Sequence, residues 1–419
     1  MLDLHDRRDA PDATLSVDKA RERIFAAIEP LPAVDLPLGD ALGLTLAADI
    51  TSPWNLPPFD NSAMDGFALR AADTADATPD RPATLRVTGT VAAGHASDRA
   101  VGPGEAIRIM TGAPIPDGCD AVERVERITD LEDGRIALEA PVTRGENIRP
   151  AGEDVRAGET IFAAGAPINA SAIALLAATG RASVTVHSRP RVGVLVTGDE
   201  VVPPGATPGK GQIFNSNGPM LAALVREAGG EPVDLGTAGD DAGQLRDRIA
   251  RAQGVDLLLT TGGVSVGDFD VVKTVLRSEG DIELWRVRIK PGGPLAFGRM
   301  RGTAVIGLPG NPVAAAVAFL ELARPAIRRM LGRRETGLPE VEATVRERIA
   351  NHGRRTLFGR VRVERGSGGY VATLAGAQGS AILSSLAAAN GLVVVPEDID
   401  VLERGDIATV HLIGWELPR

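Results

Sequence analysis

The spacing of apolar residues changes character several times along the chain. In "SVDKARERIFAAI", Val17, Ala20, Ile24 and Ile28 recur every three or four positions, which predicts an amphipathic helix capped by Ser16 and stopped by Pro30. "LGDALGLTLAADI" predicts a second short helix and a strand. Over residues 51–152 the helical period disappears. "ATLRVTGTVAAG", "EAIRIMTGAPIP", "AVERVERI" and "RIALEA" read as short strands separated by Gly, Pro and Asp. Helical spacing returns from about Ala170 to Ala178. The pattern predicts a β-rich module, 51–152, inserted into a linking α+β domain built from 15–50 and 153–187.

From 188 to 333 strands and helices alternate. "RVGVLVT", "PVDLGT", "VDLLLTT", "IELWRVRI" and "TAVIGLP" are apolar strand runs, and helical segments such as "NGPMLAALVREAG" separate them. Strands apolar on both faces with crossover helices predict a central open, mostly parallel α/β sheet domain. The last helix, "NPVAAAVAFLELARPAIRRML", carries Pro325 inside it, which predicts a kink. The tail, 334–419, returns to short strands and predicts a small C-terminal β-barrel-like domain. The fold class is therefore multidomain α/β.

Composition narrows the function. The chain has 419 residues, too many for one core. Its net charge of −10 and 3% aromatic content argue against a nucleic-acid partner, which wants a basic face and stacking platforms. No apolar run is long enough to span a bilayer, and the start does not read as a secretory signal, so no membrane association and a cytoplasmic location are expected. Cys119 is the single cysteine, and the five histidines are scattered, so neither thiolate nor histidine metal clusters are expected.

In open α/β sheets, ligands sit beyond the carboxyl ends of the strands. Four strand ends here carry chemistry. After "RVGVLV" come Thr197-Gly198-Asp199-Glu200. After "VDLLLT" comes "TGGVSVGDFD": Gly262 and Gly263 permit a tight turn with exposed N–H groups, Thr261 and Ser265 add hydroxyl donors, and Asp268 and Asp270 open the next helix. After "ELWRVRI" comes Lys290-Pro291-Gly292-Gly293-Pro294, with a lysine able to meet phosphate as a point charge. After "TAVIGL" come Pro309-Gly310-Asn311-Pro312 at a helix start, which suits an anion. Asp240 and Asp241 precede another helix, where capping is the simpler reading. Backbone donors beside several carboxylates suggest phosphate bridged by magnesium. No Walker A loop and no dinucleotide fingerprint is present.

Taken together, "PPFDNSAMDGFA", "RIMTGAPIP", "VLVTGDEV", "GQIFNSNGPML", "TTGGVSVGDFDVVK", "IKPGGPLAFG", "GLPGNPVAA" and "GSAILSSLAAANGLVVVP" resemble the molybdopterin molybdenumtransferase family of molybdenum cofactor biosynthesis, whose animal counterpart is the C-terminal domain of gephyrin. The resemblance runs in order along nearly the whole chain. It implies an elongated homodimer of four domains per subunit, with the cleft between the α/β domain of one subunit and the inserted module of the other. It implies molybdate and adenylylated molybdopterin as substrates, AMP as a product and Mg2+ as cofactor. It also implies a molybdopterin adenylyltransferase and molybdoenzyme-maturation proteins as partners. A tungsten-inserting variant and a non-catalytic scaffold are the alternative readings.

Residue by residue, the resemblance implies catalytic roles for Asp60, Asp268, Asp240 and Lys290, and metal binding by Asp268, Asp240, Asp60 and Glu200. Asp65 accompanies Asp60, Asp199 accompanies Glu200, and Asp241 and Asp270 are alternatives to Asp240 and Asp268. Substrate contacts are implied for Thr111, Glu200, Thr261, Gly262, Gly263, Ser265, Gly292, Pro309, Gly310, Asn311, Ser380, Ser384 and Arg355, with Arg354 as the alternative arginine. Many family members carry "KPGKP"; here Gly293 replaces the second lysine, so no two-lysine clamp is expected. In the "PPFDNSAMDGFA" loop, Met64 and Phe67 are expected to pack inward while Asp60 faces the partner's cleft.

Overall fold

The computed structural model describes residues 14–239, 241–263 and 271–414. Its centre is a seven-stranded sheet in the order Thr14–Leu15, Gly280–Val287, Pro294–Met300, Thr303–Leu308, Leu257–Thr261, Arg191–Thr197, Glu231–Ala238. The last four run parallel to one another, as the apolar runs predict. The sheet as a whole is mixed, because Pro294–Met300 pairs antiparallel with both of its neighbours. Only its first residue, Pro294, reads in the sequence as the end of a glycine turn, and the strand that follows is not among the expected runs. The links on either side of this strand are too short for a crossover, so the chain must reverse direction. Helices cover both faces over two apolar clusters, one around Val194, Leu257, Ile306 and Phe319, the other around Leu195, Leu258 and Val305.

The helix Val17–Ala27 forms where its spacing predicts, with the Ser16 hydroxyl accepting from the Lys19 amide at 3.2 Å. Its buried stripe of Val17, Ala20 and Ile24 packs into the core of the central sheet. The segments flanking the inserted module are stitched together by antiparallel pairing of Ala33–Pro37 with Ser183–His187 and of Ile50–Thr51 with Thr160–Phe162. The module itself is an open, curled sheet of six strands, a half-barrel with apolar clusters on both faces.

At Pro325 the long helix does not break. Pro312–Ala318 continues through a π-helical turn, Phe319–Ala323, into Arg324–Met330. Proline lacks the N–H for the regular ladder, and the wider turn absorbs the mismatch. The C-terminal domain closes on itself: Thr356–Gly366 pairs with Gly369–Leu374 on one side and Gly391–Val395 on the other, and Glu340–Val345 and Ile407–Leu412 complete the ring. Closure removes free sheet edges. Ile289–Lys290 pairs parallel with the start of this barrel, which fixes the barrel beside the strand ends of the central sheet. No helix among the described residues is long and apolar enough to cross a membrane.

Candidate functional site

A cleft of about 1150 Å³ opens at the carboxyl ends of Arg191–Thr197, Leu257–Thr261 and Thr303–Leu308, with the barrel as its far wall. Glu200, Lys290 and Arg355 are the ionisable groups among the described residues that line it, so the wall carries two cations and one anion. Arg355 comes from the barrel and supplies a second positive charge in the absence of a lysine at 293. Arg354 does not line the cleft.

The glycine turns are tightly packed. Gly262 has φ +93°, and a Cβ there would lie 2.6 Å from the Thr197 carbonyl oxygen and 2.7 Å from its hydroxyl. Only a glycine lets these two strand ends approach so closely. Gly293 has φ +139°, a region that side-chain-bearing residues rarely adopt.

Beneath the turns lies a buried polar strut that strand-by-strand reading misses. The Asn217 amide donates to Thr261 Oγ1 at 2.9 Å and to the Gly310 carbonyl at 2.7 Å, and Thr261 Oγ1 in turn donates to the Pro309 carbonyl at 2.9 Å. Thr261, expected as a hydroxyl donor to ligand, therefore spends its proton holding the neighbouring turn. Asn217 sits in the polar cluster "NSNG" at the start of the helix Asn217–Ala228, a signal that could have found it.

The barrel wall depends on Arg360. Its side chain is 0% exposed and reaches Ser385 Oγ at 3.2 Å, the Ala377 carbonyl at 3.1 Å and the Gly379 carbonyl at 3.0 Å. Gln378 accepts from the Arg360 amide and donates back to its carbonyl. These contacts fix the segment 377–380, which faces the cleft. Asn311 then donates to Ser380 Oγ at 3.2 Å, and the Val313 amide donates to the Ser380 carbonyl at 3.1 Å, tying barrel to sheet. Burial holds the Arg360 guanidinium below its ordinary pKa.

The structure thus brings together Glu200, Thr261, Gly262, Gly263, Lys290, Gly292, Pro309, Gly310, Asn311, Arg355 and Ser380. It does not bring Ser384 to the cleft: that residue is exposed in the short helix Leu383–Ala387. Asp241 is spent as a helix cap, accepting from the Gln244 amide at 2.8 Å. Asp240, Ser265 and Asp268, like Asp270, lie outside the described residues.

Asp60 and Thr111 belong to the inserted module and do not line the cleft of their own chain. Asp60 Oδ1 accepts from the Ala151 amide at 2.7 Å. Asp65 Oδ1 accepts from both the amide and the hydroxyl of Thr111, at 2.7 and 2.8 Å, which holds its carboxyl below the ordinary range. Phe67 is buried as expected, but Met64 is 42% exposed, as are Phe59 at 46% and Trp54 at 63%. The buried Ser62 turns the chain by donating to the Met64 carbonyl, which carries Met64 out to the surface.

The described part of the cleft offers oxygen donors suited to magnesium: the Glu200 carboxylate and Asn217 Oδ1, a buried acceptor with no hydrogen-bond partner. No cluster of three His, Cys, Asp or Glu occurs among the described residues. Burial, aided by Asp120, pushes the Cys119 thiol up to about 12, so it is no nucleophile at neutral pH.

Three family models match in order: "MoeA N-terminal region (domain I and II)" over residues 15–180, "Probable molybdopterin binding domain" over 193–329, and "MoeA C-terminal region (domain IV)" over 342–413. The cleft thus lies where the molybdopterin-binding type of α/β domain meets the C-terminal barrel. Molybdopterin molybdenumtransferase 2 of Mycobacterium tuberculosis (strain CDC 1551 / Oshkosh) is 40% identical over 391 residues, covering 92% of this chain and 95% of that protein. Molybdopterin molybdenumtransferase of Haemophilus influenzae is 35% identical over 412 residues, covering 96% of this chain and all of that protein. The crystal structure of a molybdopterin biosynthesis protein from Pyrococcus horikosii superimposes with a TM-score of 0.84 at 32% identity, covering 96% of this chain and 100% of that chain. The chain belongs to the molybdopterin molybdenumtransferase family, enzymes of molybdenum cofactor biosynthesis.

Proposed function

We propose that this chain inserts molybdate into adenylylated molybdopterin and releases AMP. The observation that carries the reading is the cleft itself, which sets Lys290 and Arg355 against Glu200 at the ends of parallel strands. Lys290 and the glycine-turn N–H groups grip the phosphates of the substrate. Arg355 and the Ser380 segment receive the molybdate oxyanion from the barrel side. Two dithiolene sulfurs replace two oxo ligands of molybdate, which leave as water after taking up protons that include those of the thiols, and a further water cleaves the phosphoanhydride into AMP and the molybdopterin phosphate. The protein contributes mainly positioning and charge stabilisation. Magnesium held by Glu200 and the Asn217 amide oxygen, with Asp240 and Asp268 as further carboxylates, would supply charge to polarise the anhydride.

The reading includes a homodimer. The described cleft holds no residue of the inserted module, while the Asp60 loop is flanked by exposed Trp54, Phe59 and Met64, an apolar surface suited to a second copy. Asp60 would complete the partner's cleft. A molybdopterin adenylyltransferase would supply the substrate, and molybdoenzyme-maturation proteins would receive the product.

The test is to incubate the full chain with adenylylated molybdopterin, magnesium and molybdate, and to quantify AMP and active cofactor together. Molybdate-dependent formation of both is expected. Tight substrate binding without either product would reduce the cleft to a binding site, the scaffold reading. A parallel tungstate series reads the metal preference.

A further inference from the structure

A second cavity, of about 330 Å³, lies where the loop 163–167 of the linking domain meets the end of the helix Arg324–Met330. It shares no lining residue with the cleft. Its walls are Arg328, Arg333, Arg334, Glu335 and the small residues 163–167. Three arginines and one glutamate therefore line it, and among the described residues none of the three arginines makes an ion pair.

Their hydrogen bonds fix the arginines without neutralising them. Arg328 Nε donates to the Glu335 backbone carbonyl at 3.1 Å, and Arg333 Nη2 donates to the Gly43 carbonyl at 2.7 Å. Arg333 Nε is buried with no acceptor among the described residues. The end of the helix offers little compensation. Its Ile327, Arg328 and Arg329 carbonyls already accept from the amides of Leu331, Arg333 and Gly332. Burial first, and then the nearby Arg328 charge, lower the pKa of Arg333, while burial lowers that of Arg328 against the opposing pull of Glu335. Gly165, at φ +84°, lets the loop close on the third arginine, since a Cβ there would come within 3.0 Å of Arg334 Nε. Crowded, partly desolvated positive charge with an unused donor is costly unless an anion joins it.

We propose that this pocket binds a doubly charged tetrahedral oxyanion, as a free inorganic ion or as the phosphate of a small ester. Guanidinium groups suit such an ion because each presents a planar pair of N–H donors. The volume leaves room for a short organic tail beyond the phosphate. Because its walls come from two domains, the bound ion clamps the linking domain to the central one.

The experiment is calorimetric titration of the full chain with inorganic phosphate and, separately, with glycerol phosphate, at fixed ionic strength against chloride. All titrations use a Lys290→Ala/Arg355→Ala background, which removes both cations of the cleft, so that oxyanion binding there is not mistaken for this site. One saturable site is expected to remain in that background, and to weaken at least roughly tenfold on adding Arg328→Ala or Arg333→Ala. Tighter binding of glycerol phosphate would support an ester as the occupant, and tighter inorganic phosphate a free ion. No saturable binding above the chloride control, or binding unchanged by these substitutions, would overturn the proposal. Arg333 also supports the fold through Gly43, so Arg334→Ala is the second variant. Its side chain makes no hydrogen bond among the described residues, and unchanged affinity there would equally count against the site.

Discussion

Asn217 holds Thr261 from below: its amide donates to the threonine hydroxyl at 2.9 Å and, with its second hydrogen, to the Gly310 carbonyl at 2.7 Å. One side chain on a helix thereby sets the spacing of two glycine turns on neighbouring strands. Asn217→Leu removes both donors, one to the buried Thr261 hydroxyl and one to the Gly310 carbonyl, at a cost of about 1–3 kcal/mol. The variant should melt earlier and bind the phosphate-bearing substrate at least roughly tenfold more weakly. A melting curve and a substrate titration check both effects, and an unchanged affinity would show that the strut does not shape the turns.

The two glycines of these turns should respond unequally to alanine. At Gly262 the new Cβ meets the Thr197 carbonyl oxygen at 2.6 Å, in a left-handed backbone. At Gly310 the nearest atom is the Gly262 Cα at an ordinary 3.5 Å. Gly262→Ala should cost about 2–4 kcal/mol, since steric overlap adds to backbone strain. Gly310→Ala should stay within about 1 kcal/mol of the parent. Chemical denaturation of the pair measures the difference.

Arg360 should act on one short segment. Its guanidinium holds the Ala377 and Gly379 carbonyls from inside the barrel, next to Ser380. Arg360→Met fills the space and removes the desolvated charge, so the lost hydrogen bonds are partly offset and the barrel should remain folded. Hydrogen exchange should rise sharply at residues 376–380 and little in the strand Gly391–Val395. The Michaelis constant for molybdate should rise several-fold. Uniform exchange across the barrel would show a general loss of stability instead.

Much of this architecture is legible in the sequence because it rests on local periodicity. The apolar runs of the parallel strands, the stripe of Val17, Ala20 and Ile24, and the glycine turns that follow the strands can each be read without knowing the partner element. What escapes is set by tertiary contacts. Pro294–Met300 runs antiparallel because its flanking links are too short to cross over, a constraint visible only once its neighbours are paired. Arg360 lies in an alternating strand pattern, and nothing local tells that its charge is buried against a loop almost twenty residues later. Met64 looks like a packing residue by type, and its exposure follows from the turn made by Ser62.

The junction of four segments should be sensitive to pH. Glu321, 2% exposed in the π-helical turn, pairs with Arg21 at 3.2 Å and with His411 Nδ1 at 2.9 Å, while His411 Nε2 faces Glu340 at 3.3 Å. Burial pulls the His411 pKa down, but the Glu321 hydrogen bond and the charges of Glu321 and Glu340 outweigh it against Arg21, leaving it above the ordinary 6.5. A pKa raised on folding means that the folded state binds the proton more tightly. The stabilisation is therefore complete below the ordinary value and is lost as pH rises through the folded one. The melting-temperature difference between the parent and His411→Asn should be largest below the ordinary value of 6.5 and shrink as pH rises above it. A difference that is constant with pH would assign His411 a packing role only.

The proposed shared-site dimer makes a prediction that no single-chain site can match. Asp60→Asn and Lys290→Ala should each abolish cofactor formation, the first on the inserted module and the second in the cleft. If every site takes its cleft from one subunit and its Asp60 loop from the other, a mixed dimer of the two variants contains one doubly defective site and one wholly intact site. Random exchange makes half of the dimers mixed, so activity should return to about a quarter of the parent level. If Asp60 served the cleft of its own chain, every site in the mixture would carry one defect and no activity would return. The exchange is followed by mass after mixing tagged and untagged variants, so that a failure to swap subunits is distinguished from a failure to complement. Restored activity that scales with the mixed fraction would place the Asp60 carboxylate across the interface, opposite Lys290.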